Sequence, residues 1–282
     1  MARITQRVHF VGHADNLLAG IVELPTGMPQ GFLLFSHCFT CTKDLKAIVR
    51  ISRGLADRGW GVLRYDFSGL GNSQGDFSGT NFTTNREDLG SAAAFLAREY
   101  QPPAFLIGHS FGGAASLSMA MELPTVRGVI AVASPSDTHH LARLLENMNP
   151  DIISQGQGSV SIGGRNHWIR RQMLDNFMSF DLKLTIRQIS KPVLAFHSPS
   201  DETVGYENAL INCGFDSGPQ VGIRRTNRSL ISLPNCNHLL TTRDEDCVMV
   251  AELTDGWCRR FIAEWLAAET NITSGMGVPP MI

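Results

Sequence analysis

Short apolar, β-branched runs alternate along the chain with longer stretches whose apolar residues recur every three to four positions. The runs at 31–38 (GFLLFSHC), 61–67 (GVLRYDF), 104–108 (AFLIG), 126–133 (VRGVIAVA), 192–197 (PVLAFH) and 228–233 predict strands. The periodic stretches predict helices over 44–58 (Ile48, Ile51, Leu55), 86–99 (Leu89, Ala93, Leu96), 114–122 and 246–267 (Val250, Leu253, Trp257, Phe261). Strand–helix alternation implies right-handed crossovers, and so an α/β fold with a mostly parallel central sheet and helices on both faces. Strands that are apolar without interruption fit a sheet buried on both sides. Residues 8–23 read as a pair of antiparallel edge strands around a turn near Asp15-Asn16. The stretch 136–187 breaks the rhythm. Leu141, Leu144 and Leu145, then Ile169, Met173 and Phe177, stand at helical spacing around a Gly-rich middle. It predicts a small helical cap inserted over the C-terminal strand ends of a core made by 1–135 and 188–270. Residues 271–282, with Gly275, Gly277, Pro279 and Pro280, read as a loose tail.

The sharpest chemical signal lies between the third of these strands and the helix after it. Gly108-His109-Ser110-Phe111-Gly112-Gly113 is G-x-S-x-G in the strand–turn–helix context that the motif requires. The serine sits on a strained turn, and positions two before and two after it must lack bulk for the backbone to pass. Its hydroxyl then stands above the sheet, with a helix N-terminus behind it that favours developing negative charge. A serine alcohol needs a base, and the base needs an orienter. On such a turn the expected chain order is Ser, acid, His. Asp201 stands in the loop after the strand at 192–197, and His238 in the loop after the strand at 228–233. Of nine histidines, His238 alone follows Asp201. Asp137, after the strand at 126–133, is the rival acid, and Glu202 is adjacent to Asp201 but should point elsewhere. Oxyanion donors are expected from the backbone N–H of Phe111, next to the nucleophile, and of Phe39, in the loop His37-Cys38-Phe39-Thr40-Cys41. His37 is expected to brace that loop, and Asp66 to hold its own loop through backbone N–H groups.

Composition narrows the partners. Of 282 residues, 43% are hydrophobic and 18% charged, enough for a core, and the net charge of −2 leaves no basic footprint for nucleic acid. No apolar run reaches the roughly 18 residues of a membrane span, and residues 1–10 lack the apolar stretch of a secretory signal. A cytoplasmic protein with free thiols is the expectation, since six cysteines are too sparse for a disulfide scaffold. Cys38-Phe39-Thr40-Cys41 has no second pair at zinc spacing. Gly69-Leu70-Gly71-Asn72-Ser73-Gln74 lacks both the third glycine and the following helix of a dinucleotide site. No metal or cofactor is expected. Arg170-Arg171 reads as a solvated helix face. Cys38, Cys41 and Cys236 read as small buried hydrophobes, against the alternative that peroxide oxidises them, reshapes the loop and tilts the Phe39 N–H away.

The chain resembles an α/β-hydrolase, and more narrowly the hydrolase domain found fused to OsmC-type hydroperoxide reductase domains. The resemblance rests on His37–Asp44 (HCFTCTKD), Arg64–Ser73 (RYDFSGLGNS), Thr80-Asn81-Phe82, the Ser110 turn, Gly163-Gly164-Arg165 and Asn237-His238-Leu239-Leu240. It implies the α/β-hydrolase fold and serine hydrolase chemistry on a small-molecule acyl substrate. That means a carboxylesterase-like enzyme (EC 3.1.1) or thioesterase working through an acyl-enzyme on Ser110. A fused peroxidase function is not implied, and Cys38 stands where many relatives have Gly. Dehalogenases and epoxide hydrolases of this architecture use an Asp nucleophile, which Ser110 argues against. Peptidase, lyase and perhydrolase activities stay open, as does a homodimer. The non-enzymatic alternative is a degenerate hydrolase acting as a ligand receptor or as the partner of a peroxidase.

Overall fold

The computed structural model describes residues 3–215 and 227–275, the stretch 264–275 as backbone only. β1 (Arg3–Val11) and β2 (Leu17–Pro25) form an antiparallel hairpin closed by a turn of 3-10 helix at His13–Asp15. The strands are longer than the pattern over 8–23 suggests, and of these two only β1 lies at a sheet edge. β2 pairs inward, antiparallel to β4 (Gly61–Tyr65). β3 (Phe32–Ser36), β5 (Pro103–His109), β6 (Gly128–Val132), β9 (Val193–His197) and β10 (Arg228–Ser232) complete a sheet of order β1-β2-β4-β3-β5-β6-β9-β10. From β4 onward every pairing is parallel.

Successive side chains of a strand point to opposite faces, and this divides the core in two. Phe32 and Leu34 of β3 join Leu63, Tyr65 and Leu106 on one face, under α2 (Phe82–Glu99) and α3 (Phe111–Met119). Leu33 and Phe35 join Val62, Phe105 and Ile107 on the other, under α1 (Lys46–Ala56) and the last helix (Asp244–Gly275). α1 turns Ala47, Ile48, Ile51, Leu55 and Ala56 to the sheet at helical spacing. α2 begins four residues before the apolar period does. Asn81 caps it, accepting from Thr84 N–H while Thr84 Oγ1 accepts from Asn81 N–H, a reciprocal cap that fixes the start. α3 begins at Phe111, directly after the serine, rather than at 114.

The inserted region carries α4 (His139–Met148), the short α5 (Asp151–Ser154), β7 (Gln157–Ile162), β8 (Arg165–Arg170), α6 (Arg171–Ser179) and α7 (Leu182–Gln188). Its Gly-rich middle is an antiparallel hairpin, which helical spacing did not announce. The deciding residues are Gly163 and Gly164, at φ +59° and +76°. Two residues with positive φ make the turn whose twist matches a hairpin. The cap has no core of its own: Ile152, Val160, Ile169, Met173 and Phe177 belong to the cluster over α2 and α3. After β9 comes α8 (Glu207–Cys213), also unannounced by the pattern, and then β10 and α9, the last helix. α9 runs beyond the expected 246–267 at both ends. Asn271–Gly275, expected as tail, continue its backbone, since no proline occurs between Asp244 and Pro279. The rest of the tail, 276–282, lies outside the described residues. Among the described residues no helix is long and apolar enough to cross a membrane.

The parallel strands end nearly in register, with Ser36 beside Gly108, His109 beside Val132, Val132 beside Phe196 and His197 beside Ser232. Every loop leaving those ends therefore opens on one side of the sheet, where α/β sheets place their sites.

The hairpin turn gives a first expected outcome. A Cβ at Gly163 or Gly164 meets nothing within 4 Å, so alanine there is opposed by backbone strain alone. Gly163→Ala and Gly164→Ala should each lower stability in urea by about 1 kcal/mol. Gly27→Ala, at a position without positive φ and equally open, should leave stability unchanged or raise it slightly.

Candidate active site

Ser110 follows β5 at φ +53°, ψ −121°, a region that L-residues rarely enter. The turn is held by Ser110 N–H donating to Val132 O (2.8 Å) and by Gly113 N–H donating to Ser110 O (2.8 Å). A Cβ at Gly108 would stand 2.2 Å from Gly112 O, and one at Gly112 would stand 2.2 Å from Ser36 O. The first and last glycines of the motif are therefore compelled by backbone on both sides.

The loops after β9 and β10 bring two more sequence-selected residues to this serine. His238 Nε2 lies 2.9 Å from Ser110 Oγ, and His238 Nδ1 lies 2.8 Å from Asp201 Oδ2. Asp201 Oδ1 accepts from the N–H groups of Thr203 (2.9 Å) and Val204 (3.0 Å), which leaves Oδ2 for the imidazole. Burial alone would raise the Asp201 carboxyl. The hydrogen bond from His238 and those from the two amides outweigh burial and hold it below the ordinary carboxylate range. An ionised Asp201 requires the proton on His238 Nδ1, so Nε2 presents its lone pair to the Ser110 hydroxyl. Such an arrangement can take the serine proton and stabilise the resulting imidazolium.

Asp137 lies elsewhere. It accepts from His139 N–H (2.8 Å), pairs with Lys183 (3.4 Å), and lines the cavity without touching the imidazole. Glu202 stays exposed.

Phe39 and Phe111 line the same cavity as Ser110 and His238. Among the described residues, the N–H of neither Phe39 nor Phe111 has a protein acceptor, so both are free to donate to a bound oxyanion. The Phe39 loop is clamped from below. His37, fully buried, donates from Nδ1 to Cys38 O (2.7 Å) and accepts at Nε2 from Phe67 N–H (3.1 Å). Both ring nitrogens are used in the neutral form, and burial pushes its pKa down. Asp66 ties the loop to the one after β4, accepting from Lys43 N–H and Nζ (both 2.7 Å) and from Asn72 N–H (2.9 Å).

The cavity holds about 680 Å³. Phe39, Phe111, Leu141, Leu144, Met148 and Ile162 give it apolar walls, the last four contributed by the cap. Arg170, read as part of a solvated face, pairs with Asp76 at 2.8 Å. Among the described residues no group of three or more His, Cys, Asp or Glu converges as a metal site would need.

One expectation is overturned at the site itself. Cys38 and Cys41 are not free thiols but are joined in a disulfide, with Cα atoms 5.3 Å apart. The physical reason is the turn between them: Thr40 takes φ +58° and Cys41 N–H donates to Cys38 O at 3.2 Å, which folds the two side chains together. The C-x-x-C spacing is the signal, read as a local staple and not as half of a zinc site. Cys213, Cys236, Cys247 and Cys258 are free and buried. Sequence reasoning also passed over His109, which is buried and donates from Nε2 to His238 O (2.7 Å).

A model of the serine aminopeptidase S33 family matches residues 29–176, more than half of the chain. The esterase domain of a Rhodothermus marinus protein is 35% identical, at a TM-score of 0.68, over 91% of this chain and 98% of that one. Est1E of Butyrivibrio proteoclasticus, solved with ferulic acid, superposes at a TM-score of 0.75 over 91% of this chain and 100% of that one; at 19% identity it shares the fold alone. An uncharacterized protein of Rickettsia prowazekii (strain Madrid E) is 32% identical over 116 residues, 40% of this chain; the match spans about half, 48%, of that relative. Sheet order, strand-end loops and these likenesses define a hydrolase of the α/β-hydrolase superfamily. Within it, the chain belongs to the serine aminopeptidase S33 family.

His109 gives the pH prediction. Burial first, and the neighbouring His238 next, depress it to about 3. In the unfolded chain a histidine binds its proton near 6.5. Between those values the unfolded state holds the extra proton, so stability is present above about pH 6.5 and is lost as pH falls. His37 and His197, also depressed by burial, act in the same direction. The urea midpoint should fall from pH 7 to pH 4, and the fall should be shallower in His109→Gln.

Proposed function

We infer that the protein is a serine carboxylester hydrolase working by two-step acyl transfer. The observation that carries this reading is the unbroken chain Ser110 Oγ, His238 Nε2 (2.9 Å), His238 Nδ1, Asp201 Oδ2 (2.8 Å), in one cavity with Phe39 and Phe111, whose amides meet no acceptor among the described residues. Ser110 attacks the acyl carbon while His238 takes its proton. Asp201 holds the imidazole in the required tautomer and stabilises its cation. The Phe39 and Phe111 N–H groups receive the oxyanion, each worth a few kcal/mol in the transition state. His238 returns the proton to the leaving alcohol, and water, deprotonated by the same imidazole, releases the acyl group. The 35% identical neighbour being an esterase domain favours esters over the peptides that the family's name suggests. The narrower kinship with hydrolase domains fused to OsmC-type domains is carried by the His37–Asp44 and Thr80-Asn81-Phe82 segments. The first of these forms the cavity wall, and Asn81 in the second also donates to Gln172 of the cap (2.7 Å).

The experiment is covalent labelling with a fluorophosphonate probe alongside p-nitrophenyl ester turnover. Wild type should label once, at Ser110. Ser110→Ala should lose label and turnover together while keeping its fold. A labelled Ser110→Ala protein would place the nucleophile elsewhere, and an unlabelled wild type would favour a ligand receptor. Asp201→Asn should lower kcat by about 10⁴, and Asp137→Asn should change it little; the reverse would move the acid to the earlier strand.

The cavity walls set the chain-length profile. Leu144 and Met148 are each 42% exposed at a cavity that contains Ser110, so an acyl chain laid against them buries their surface and its own. kcat/KM should rise by about fourfold per added methylene from acetate to hexanoate. Leu144→Asp should flatten that rise and spare acetate; a flat wild-type series would exclude the cap wall as the acyl site.

A further inference from the structure

We propose that the Cys38–Cys41 disulfide is a positioning element of the oxyanion site, and that a dithiol able to reach the cavity reduces it reversibly and slows acyl transfer. This rests on the serine-hydrolase reading above.

The argument begins with one peptide plane. In a trans peptide the C=O and the following N–H point to opposite sides of a single plane. Holding the Cys38 carbonyl therefore fixes the direction of the Phe39 N–H. Two donors hold that carbonyl, His37 Nδ1 (2.7 Å) and Cys41 N–H (3.2 Å). The second depends on the turn Cys38–Cys41, and Thr40 makes that turn at φ +58°. A β-branched residue resists this region of backbone space. The covalent link between the turn's two ends opposes relaxation of Thr40. With the link open, Cys41 N–H can leave the Cys38 carbonyl and the peptide plane is held by His37 alone. The Phe39 ring, tilted against Phe77, Phe111 and Phe177 with centroids 5.5, 5.5 and 6.2 Å away, keeps the loop in place but does not aim its amide.

Reach and locality come from the same geometry. Cys38 and Cys41 both line the cavity, and Cys41 is partly exposed while Cys38 is buried. A thiolate of the dithiol attacks Cys41 Sγ. The Cys38 Sγ–Cys41 Sγ bond breaks, a mixed disulfide forms on Cys41, and Cys38 leaves as thiolate and takes a proton. The second thiol of the reductant then displaces Cys41. The sum is one protein disulfide and one dithiol converted to two protein thiols and one cyclic disulfide, a transfer of two electrons and two protons. The other four cysteines are buried, and burial pushes Cys213 to about 11 and Cys236 to about 12. They are poor exchange partners, so the chemistry stays in the turn. The sign is opposite to the redox alternative that the sequence raised: the oxidised form is the one in which the amide is aimed.

The test uses the full chain and p-nitrophenyl butyrate. Wild type is treated with dithiothreitol or with glutathione disulfide and desalted under argon. Thiols are then counted after denaturation. Four thiols are expected in the oxidised form and six in the reduced form, since two of the six cysteines form the disulfide. Outright removal of an oxyanion donor costs about 10²–10³ in kcat. A donor that merely loses its aim should cost about tenfold, on kcat and not on KM, and reoxidation should restore the rate. Cys41→Ser should sit at the reduced level and ignore dithiothreitol. If Cys41→Ser fails to fold by circular dichroism, the wild-type cycle decides alone. Equal kcat at four and six thiols overturns the proposal. So do six thiols after oxidant, or a Cys41→Ser protein that folds and still responds to dithiothreitol. Fluorophosphonate labelling runs in parallel: a labelled Ser110 with a redox-blind rate overturns this inference alone. No label in either form overturns the serine-hydrolase reading and this inference with it.

Discussion

The constraint on which the site depends is steric and lies under Ser110. β5 ends and α3 begins with no loop between them, so the chain reverses on one residue with positive φ. It does so against the strand beside it: Gly112 passes so near Ser36 O and His37 O that a methyl group would collide with backbone at 2.2 Å and 2.5 Å. That contact joins α3 to the start of the loop after β3. The Phe111 N–H and the loop carrying the Phe39 N–H are thus parts of one packed unit, and their spacing is set by backbone rather than by adaptable side chains. This is the kind of preorganisation that lets a donor stabilise developing charge without reorganising.

Around this contact, buried polar groups hold loops rather than carry out chemistry. The Lys43–Asp66 pair, at 2.7 Å and almost without solvent exposure, fastens the loop after β3 to the loop after β4. Asp88 of α2 accepts from the N–H groups of Ser68 (2.8 Å) and His13 (2.9 Å), fastening the β4 loop and the β1–β2 hairpin to a helix. Glu23 on β2 takes Arg64 on β4 at 2.8 Å. Burial pushes Glu23 up, and hydrogen bonds from Thr5 and Arg64 with the nearby positive charges of Arg64 and Arg53 bring it net down. Removing one member of such a pair strands the other in low dielectric, at a cost of about 3–5 kcal/mol. The polar residues of Arg64–Ser73 reach outside their own segment: Arg64 Nε donates to Lys43 O, Asp66 accepts from Lys43 N–H, Ser73 Oγ accepts from Ala19 N–H, and Ser68 and Asn72 meet the side chains of Asp88 and Lys43.

The cysteines show where local reasoning stopped. Sparse cysteines argue for thiols, and four of the six are free and buried. For Cys38 and Cys41 the deciding quantity was the backbone of Thr40, whose positive φ no propensity favours. The loop that carries this turn is held against Phe67 and Asp66 by contacts from distant chain positions.

The order of strands and helices, the two-faced core and the glycines of the Ser110 turn were legible in the chain. Apolar periodicity and glycine sterics act over a few residues and need no partner to be read. Ser110, Asp201 and His238 could be picked by their places after strands, because parallel strands put their following loops on one side of a sheet. What sequence reasoning missed was partly local and partly a matter of distance in space. The hairpin at Gly163-Gly164 was hidden under helical spacing, the early start of α2 in a cap made by two side chains, and the extension of α9 in the lack of any stop before Pro279. Asp201, preferred over Asp137 from sequence, is the carboxylate that the packed sheet brings within 2.8 Å of the His238 imidazole. The disulfide, the unpaired amides of Phe39 and Phe111, and the His109 bond to the His238 carbonyl belong to that second class. The last joins groups that lie 129 positions apart along the chain and that the packed sheet returns to one another.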